Sequence, residues 1–231
     1  MKKIKRIVYP ICLILLIIAI WNLWKIKSST VHTEHLYNKL AQEQSSQLQL
    51  LYKQNHDLVG WLKIKGTVID YPVMQTKIDN DYYLTHDFER KENVHGTPFL
   101  DVNCHLNTSD NLIIYGHHMK DGTMFQNLMK YKDPAFCQSH RDIQFQTLNT
   151  KHTYHIIFVF VVSKEETKKF PYYNYIDLSH NNNYQQFLDY CSRYAIYKAN
   201  NLPTEGTKLL TLSTCEYTKN DGRLVVVAAD H

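Results

Sequence analysis

The sequence predicts a mainly β domain, a barrel or a sandwich, with a few helices on its outside. Two observations carry this prediction. From residue 59 onward, short runs rich in β-branched and aromatic residues alternate with turns. In the same region, residues 123–131 and 184–197 instead repeat their apolar side chains at helical spacing. A chain of 231 residues has room for one such domain and an appendage.

Composition and charge narrow the class of protein. The chain is 44% hydrophobic and 21% charged, with only 7 Gly and 6 Pro, which is typical of a globular protein. The net charge of +4 is mild and lies partly in the first six residues, so nucleic-acid binding is not expected. Five cysteines without a CxxC motif indicate neither a disulfide framework nor a zinc knuckle. We expect no metal and no cofactor.

The N-terminal part of the sequence predicts a membrane anchor. Residues 1–6 are basic, and residues 7–24 are almost wholly apolar and just long enough to span a bilayer. A cleaved signal peptide is the alternative, but Trp21, Trp24 and lysines stand where small residues would mark cleavage. The basic start places the N-terminus inside the cell and the rest outside, although Lys25 and Lys27 weaken the asymmetry.

The chain therefore divides into four parts. Residues 1–6 form a cytoplasmic tail, 7–24 a transmembrane anchor and 25–58 a juxtamembrane helical segment packed on the domain. Residues 59–231 form the domain itself. Within it, 61–66 and 68–73 predict a hairpin, and 79–88 a loop rich in aromatics. The further predicted strands are 96–101, 111–115, 143–148 and 154–162, the last central because both its faces are apolar.

The last 25 residues hold the most informative pattern. Two apolar runs, 209–212 and 224–227, flank a turn at 221–222 and read as neighbouring strands. Cys215 ends the first strand, and Arg223 begins the second. A permanent cation beside a thiol favours the nucleophilic thiolate. Chemistry of this kind also needs a group that transfers protons.

Histidine is the natural candidate for that group, and the chain has 13. His117 and His118 stand out because they follow Gly116 at the end of a predicted strand, where active sites often lie. A metal-binding pair is one alternative, although no third ligand lies at ligand spacing nearby. A structural histidine at a strand end is the other.

Together these motifs resemble those of the sortases, class B in particular. TLSTC, ending at Cys215, is similar to the sortase TLxTC strand, and Arg223 stands where the sortase arginine opens the next strand. YGHHMKDGTMF, which includes His117, resembles the class B form, as do DNDYYL at 79–84 and the helix before the Cys215 strand. The resemblance covers roughly residues 55–230 and implies a closed β-barrel with peripheral helices.

The resemblance also implies a reaction. Such enzymes are membrane-anchored cysteine transpeptidases on the outer face of Gram-positive cells. They cleave a C-terminal sorting signal similar to Asn-Pro-x-Thr-(Asn/Gly) after its threonine and join the new end to an amine of the peptidoglycan precursor lipid II. Cys215 would be the nucleophile, Arg223 would stabilise the oxyanion and His117 would transfer protons. The partners would be secreted proteins bearing the signal, lipid II and the membrane.

By position, the resemblance also implies a set of substrate contacts. These are Leu84, Tyr175, Ile176, Ser213 and Glu216. Ordinary loop and core roles are the alternative for each of them. No Asn or Asp partner for His117 is evident, in contrast to papain-like enzymes.

Three other functions stay open at this point. A metal- or haem-binding module is disfavoured by the scattered histidines. A relative that joins pilins through a lysine would carry the same catalytic residues. An inactive scaffold is disfavoured because Cys215, His117 and Arg223 are all present.

Overall fold

The computed structural model describes residues 2–77, 79–180 and 182–231, so Met1 of the predicted tail lies outside the described residues. One long helix, α1 (Lys2–Gln54), precedes the domain. It contains the stretch Cys12–Leu40, which is long and apolar enough to cross a membrane, with a mean hydropathy of 1.5. The described apolar side chains from Leu13 to Trp24 are exposed to solvent.

The second half of α1 packs against the domain. Leu36, Leu40 and Leu51 are buried, as is Tyr37. The Tyr37 hydroxyl donates to the Gly96 carbonyl at 3.0 Å. The predicted juxtamembrane segment is thus part of one continuous helix with an amphipathic face, and the burial of its leucines fixes it on the domain.

Nine strands build the part of the domain that the structure describes. They are β1 (Leu58–Lys63), β2 (Asp70–Met74), β3 (Phe99–Leu100), β4 (Asn111–Tyr115), β5 (Asp142–Gln146), β6 (Lys151–Val162), β7 (Ala195–Lys198), β8 (Leu209–Glu216) and β9 (Gly222–Asp230). Their order is β5-β1-β2-β3-β4-β8-β9-β6, and pairing of β5 with β6 closes the ring. The fold is therefore a closed eight-stranded barrel, with β7 added to the outside of β6, and not a sandwich.

Among the described residues, three short α-helices and three 3-10 helices lie around the barrel. The α-helices are α2 (Pro134–Ser139), α3 (Lys164–Lys169) and α4 (Asn183–Tyr194), and the 3-10 helices are Tyr82–Leu84, Phe125–Lys132 and Tyr172–Asn174. Two predicted helices differ in the structure. The one predicted at 123–131 is a 3-10 helix that runs from Phe125 to Lys132, and the one predicted at 184–197 ends at Tyr194 because Ala195 is already extended.

The core has two parts. One fills the barrel and includes Trp61, Phe125 and Leu212. The other lies between α4 and the outer faces of β6 and β9 and includes Phe187 and Phe158. Because β6 contributes buried residues to both parts, its two faces are apolar, as the sequence predicted.

Candidate active site

Strand register brings the three candidate residues to one edge of the barrel. β4 and β8 are parallel, with Tyr115 beside Ser213, so both strands end at the same edge. β9 runs antiparallel to β8, and Arg223 lies directly opposite Cys215. His117 follows β4 by two residues. Parallel pairing of β4 with β8 is therefore what places the imidazole near the thiol.

Gly116 makes this close approach possible. Its amide donates to the Ser213 carbonyl at 3.2 Å, which ties the chain just before His117 to β8. A Cβ at this position would lie 2.8 Å from the Phe125 ring. A larger residue would therefore push the His117 loop away from the strand that carries Cys215.

A cleft of about 660 Å³ opens at this edge. His117, Cys215 and Arg223 all line it. One wall comes from the segment after β2, through Asn80, Asp81 and Leu84, and the opposite wall from α3 and the turn that follows it. A cleft of this size accommodates an extended peptide segment of a few residues.

His117 is oriented by a backbone group. Its Nε2 lies 2.7 Å from the carbonyl oxygen of Leu84. A carbonyl can only accept, so Nε2 carries the proton and donates it, and Nδ1 of the neutral ring is left to exchange protons. The His117 carbonyl in turn accepts from the Phe125 amide at 2.8 Å, which fixes the loop from the other side.

Cys215 is half-buried, and its thiol makes no hydrogen bond with any residue that the structure describes. Its carbonyl accepts from Nδ1 of His118 at 3.0 Å. The His118 ring also stacks on Tyr217, with centroids 4.9 Å apart. The second histidine of the pair therefore holds the backbone of Cys215 and the turn that follows it.

The other cysteines of the domain are buried, which changes the pKa of their thiols. Burial raises the pKa of Cys104 to about 12 and that of Cys137 to about 11. It also raises the pKa of Cys191 well above its ordinary value. A thiol whose pKa is raised this far is protonated at neutral pH and is a poor nucleophile.

Arg223 is partly fixed by its own turn. Its Nη1 donates to the Gly222 carbonyl at 2.9 Å and to the Asp221 carbonyl at 3.3 Å. Among the described residues these are its hydrogen-bond acceptors, and the guanidinium has five N–H donors in all. The remaining donors can serve a developing negative charge in the cleft.

Two of the predicted substrate contacts line the cleft. Leu84 does so beside His117, and Ser213 does so two residues before Cys215. The Ser213 hydroxyl is 2.7 Å from that of Tyr172, a buried residue of the cleft wall. Burial raises the pKa of Tyr172 to about 12, so its hydroxyl stays neutral and available for hydrogen bonding.

The other three predicted contacts are not among the described residues that line the cleft. Tyr175 stacks on Phe170 with centroids 4.4 Å apart, and the Ile176 carbonyl accepts from the Asn111 amide. Glu216 is buried and pairs with Lys132. In this structure all three support the loops around the site. A direct role for them in substrate binding stays a prediction.

One wall of the cleft, which α3 and the turn after it supply, was not predicted from the sequence. Lys164, Thr167, Lys168, Tyr172 and Tyr173 line it there. The Ser163–Glu166 capping box that starts α3 is readable from the sequence and is the signal that would have found this wall. Lys164 pairs with Asp221 at 3.0 Å, which joins α3 to the turn before Arg223.

The comparisons with known proteins agree with one another. The family model described as "Sortase domain" matches residues 62–231. Sortase B of Staphylococcus aureus is 38% identical over 198 residues, which cover 84% of this chain and 78% of that protein. Sortase B of Listeria monocytogenes is 36% identical over 187 residues, which cover 80% and 74%. The solved Staphylococcus aureus sortase B–substrate complex is similar with a TM-score of 0.79 and 33% identity, covering 88% of this chain and 98% of that one.

Proposed function

Because this chain belongs to the class B sortases, we propose that it is the membrane-anchored cysteine transpeptidase that attaches secreted proteins to the cell wall. Its substrate is a C-terminal sorting signal of the Asn-Pro-x-Thr-(Asn/Gly) kind, cleaved after the threonine. Its acceptor is an amine of the peptidoglycan precursor lipid II. The observation that carries the proposal is the meeting of His117, Cys215 and Arg223 in one cleft.

Each catalytic role follows from the chemistry of one side chain. The Cys215 thiolate attacks the threonine carbonyl, and the oxygen of that carbonyl gains the negative charge. Arg223 donates hydrogen bonds to this oxyanion from the neighbouring strand. The proton that the Cys215 thiol has lost to Nδ1 of His117 passes to the departing amine, and a thioester between Cys215 and the threonine remains.

The second half of the reaction reverses the proton transfer. His117 accepts a proton from the incoming amine, whose nitrogen attacks the thioester carbonyl. The bond between carbon and sulfur breaks, a new amide forms, and Cys215 leaves as the thiolate. The thioester conserves the energy of the cleaved peptide bond, so the exchange needs no nucleotide.

The anchor is proposed from the apolar stretch of α1. Exposed leucines, isoleucines and tryptophans cover the described part of the helix from Leu13 to Trp24, which suits a lipid environment and not water. The basic start of the chain places the N-terminus in the cytoplasm and the barrel on the outer face. Removal of residues 1–28 should release the protein into the soluble fraction, and a truncated protein that stays with the membrane would refute the anchor.

A cleavage assay tests the catalytic proposal. The full chain is incubated with a fluorogenic sorting peptide, and the protein is then analysed by mass spectrometry for a thioester on Cys215. Replacing Cys215 by Ala should abolish both cleavage and thioester, whereas Cys12→Ala, which alters the exposed cysteine of α1, should change neither. Cleavage by the Cys215→Ala variant would eliminate the proposed nucleophile.

A further inference from the structure

A buried histidine lies close to the site but is not one of the three residues assigned to the reaction. The His95 side chain is 0% exposed, and its Nε2 lies 2.6 Å from Oδ2 of Asp121. The carboxylate oxygen accepts, so Nε2 donates the proton. The proposed reaction uses neither residue.

Asp121 holds the loop that carries His117. Its Oδ1 accepts from the Thr123 amide at 3.0 Å and from the Thr123 hydroxyl at 2.7 Å. The same loop is closed on itself by the bridge between His118 and Met124. The loop between β4 and Phe125 is therefore built around the Asp121 carboxylate, four residues after His117.

His95 lies between Asn93 and Thr97, whose amides bind the segment that supplies the acceptor for His117. The Thr97 amide donates to the Tyr83 carbonyl at 2.9 Å, and the Asn93 amide donates to the Thr85 carbonyl at 2.8 Å. These two bonds flank Leu84, whose carbonyl accepts from His117. The His95–Asp121 pair thus joins the two segments that together set the position of the His117 ring.

The anchor helix reaches the same pair. Ser29 on α1 donates to Oδ1 of Asn93 at 3.1 Å and lies 3.3 Å from Nδ1 of His95. Thr30 donates to Oδ2 of Asp121 at 3.0 Å. Two consecutive hydroxyls of α1 therefore complete the polar shell of the pair.

We propose that His95 and Asp121 are positioning residues for His117, and that Ser29 and Thr30 make their geometry depend on the docking of α1. The inference rests on the proposed transpeptidase function. It predicts that the proton-transfer step slows when the pair is broken, even where the barrel stays folded and Cys215 stays reactive. A pair that merely stabilises the fold would not have this effect.

The distinguishing experiment compares steady-state cleavage by variants of the full chain in bilayer discs. His95→Leu and Asp121→Asn should lower kcat about 10- to 100-fold, because a small displacement of a proton-transfer group has this effect, with KM within about twofold. His95→Gln should restore most of kcat, because its amide can still donate to Asp121. The rate of Cys215 alkylation by iodoacetamide should stay unchanged throughout.

The chain offers a matched control pair. His152 and Asp230 form a similar contact of 2.9 Å at the far end of β9, about 23 Å from Arg223 along the strand. His152→Leu and Asp230→Asn should leave kcat unchanged. If the His95→Leu variant does not fold, the Asp121→Asn variant is used for the test, because the Asp121 side chain is 26% exposed and tolerates the amide.

The dependence on α1 is tested separately. The double variant Ser29→Ala, Thr30→Val should lower kcat, as the His95 and Asp121 variants do. Ser28→Ala, on the exposed side of the helix, should not lower it. Unchanged kcat in both His95→Leu and Asp121→Asn overturns the inference, as does a loss of kcat no larger than that of the control pair. A wild-type chain that forms the Cys215 thioester keeps the proposed function intact in either case.

Discussion

The main-chain carbonyl of Leu84 accepts a 2.7 Å hydrogen bond from Nε2 of His117. In this site a backbone group does what an asparagine or aspartate side chain does in other cysteine enzymes, which is to fix the tautomer and the direction of the imidazole. The carbonyl cannot be removed by replacing the Leu84 side chain. It can be displaced through its neighbours.

Gly96 offers the means to displace it. A Cβ at Gly96, where φ is +59°, would meet the Tyr83 carbonyl oxygen first and would lie 2.8 Å from the Leu84 carbonyl oxygen. We expect Gly96→Ala to push this carbonyl away from His117 and to lower kcat about tenfold or more. Steady-state peptide cleavage, with urea unfolding measured alongside, checks the result.

Gly206 is the control for backbone strain. Its φ is +88°, and a Cβ there would meet nothing within 4 Å. Gly206→Ala should therefore cost about 1–2 kcal/mol of stability from the left-handed conformation alone, without loss of kcat. Equal kcat in the two variants would contradict the role given to the Leu84 carbonyl.

Arg223→Lys tests the need for a guanidinium. Lysine keeps the charge but loses the planar fork, part of which is already engaged with the Gly222 carbonyl. We expect kcat to fall about 100-fold, the usual effect of losing an oxyanion donor. Arg193→Lys, at an exposed position on α4, is the matched control. Activity within twofold of wild type in Arg223→Lys would show that charge alone suffices.

Alkylation should separate the cysteines of the domain. Because burial raises the pKa of Cys104 to about 12 and of Cys137 to about 11, both thiols should resist iodoacetamide near neutral pH. Cys215 should react first, and urea should expose the others. Peptide mass spectrometry before and after unfolding gives the order, and early modification of Cys104 would contradict the burial argument.

Stability should depend on pH through Asp121. Burial alone would raise its pKa, but hydrogen bonds from Thr123, His95 and Thr30 outweigh burial and lower the pKa to about 2. A carboxyl with a lowered folded-state pKa stabilises the fold above its unfolded pKa, and this contribution is lost as pH falls toward 2. It amounts to about 2 kcal/mol, of which roughly half should be gone by about pH 3.

Urea unfolding of wild type and Asp121→Asn between about pH 6 and pH 3 measures this contribution. The difference in free energy of unfolding between the two proteins should shrink as the pH falls. A constant difference would mean that the carboxylate charge of Asp121 does not contribute. Because Asp121 is partly exposed, added salt should reduce the effect.

Most of the strands could be predicted from the sequence, and so could the places of Cys215 and Arg223, whereas β7 was predicted to be the end of a helix. Apolar runs of known length fix where a strand ends, and a short turn between two strands fixes which residues face each other across them. Of His117, Cys215 and Arg223, only His117 is placed by the pairing of two strands that are distant in the chain. Its place depends on β4 lying parallel to β8, about 100 residues away in the chain.

Backbone acceptors and buried histidines were harder to predict. The Leu84 carbonyl leaves no trace in side-chain identity, and His95 is one of 13 histidines in polar surroundings. Glu216 illustrates a different limit. It follows Cys215 on the same strand, so its side chain points to the opposite face, where it is buried and pairs with the half-buried Lys132. Strand alternation alone would have predicted this placement.

The strand order also determines at what stage of folding the site can form. β8 and β9 lie between β4 and β6, so the ring stays open until residues 209–230 have arrived. Closure of the barrel, burial of its interior and the pairing of Cys215 with Arg223 therefore occur together. A chain in which β8 and β9 have not joined the sheet lacks the edge at which His117, Cys215 and Arg223 meet.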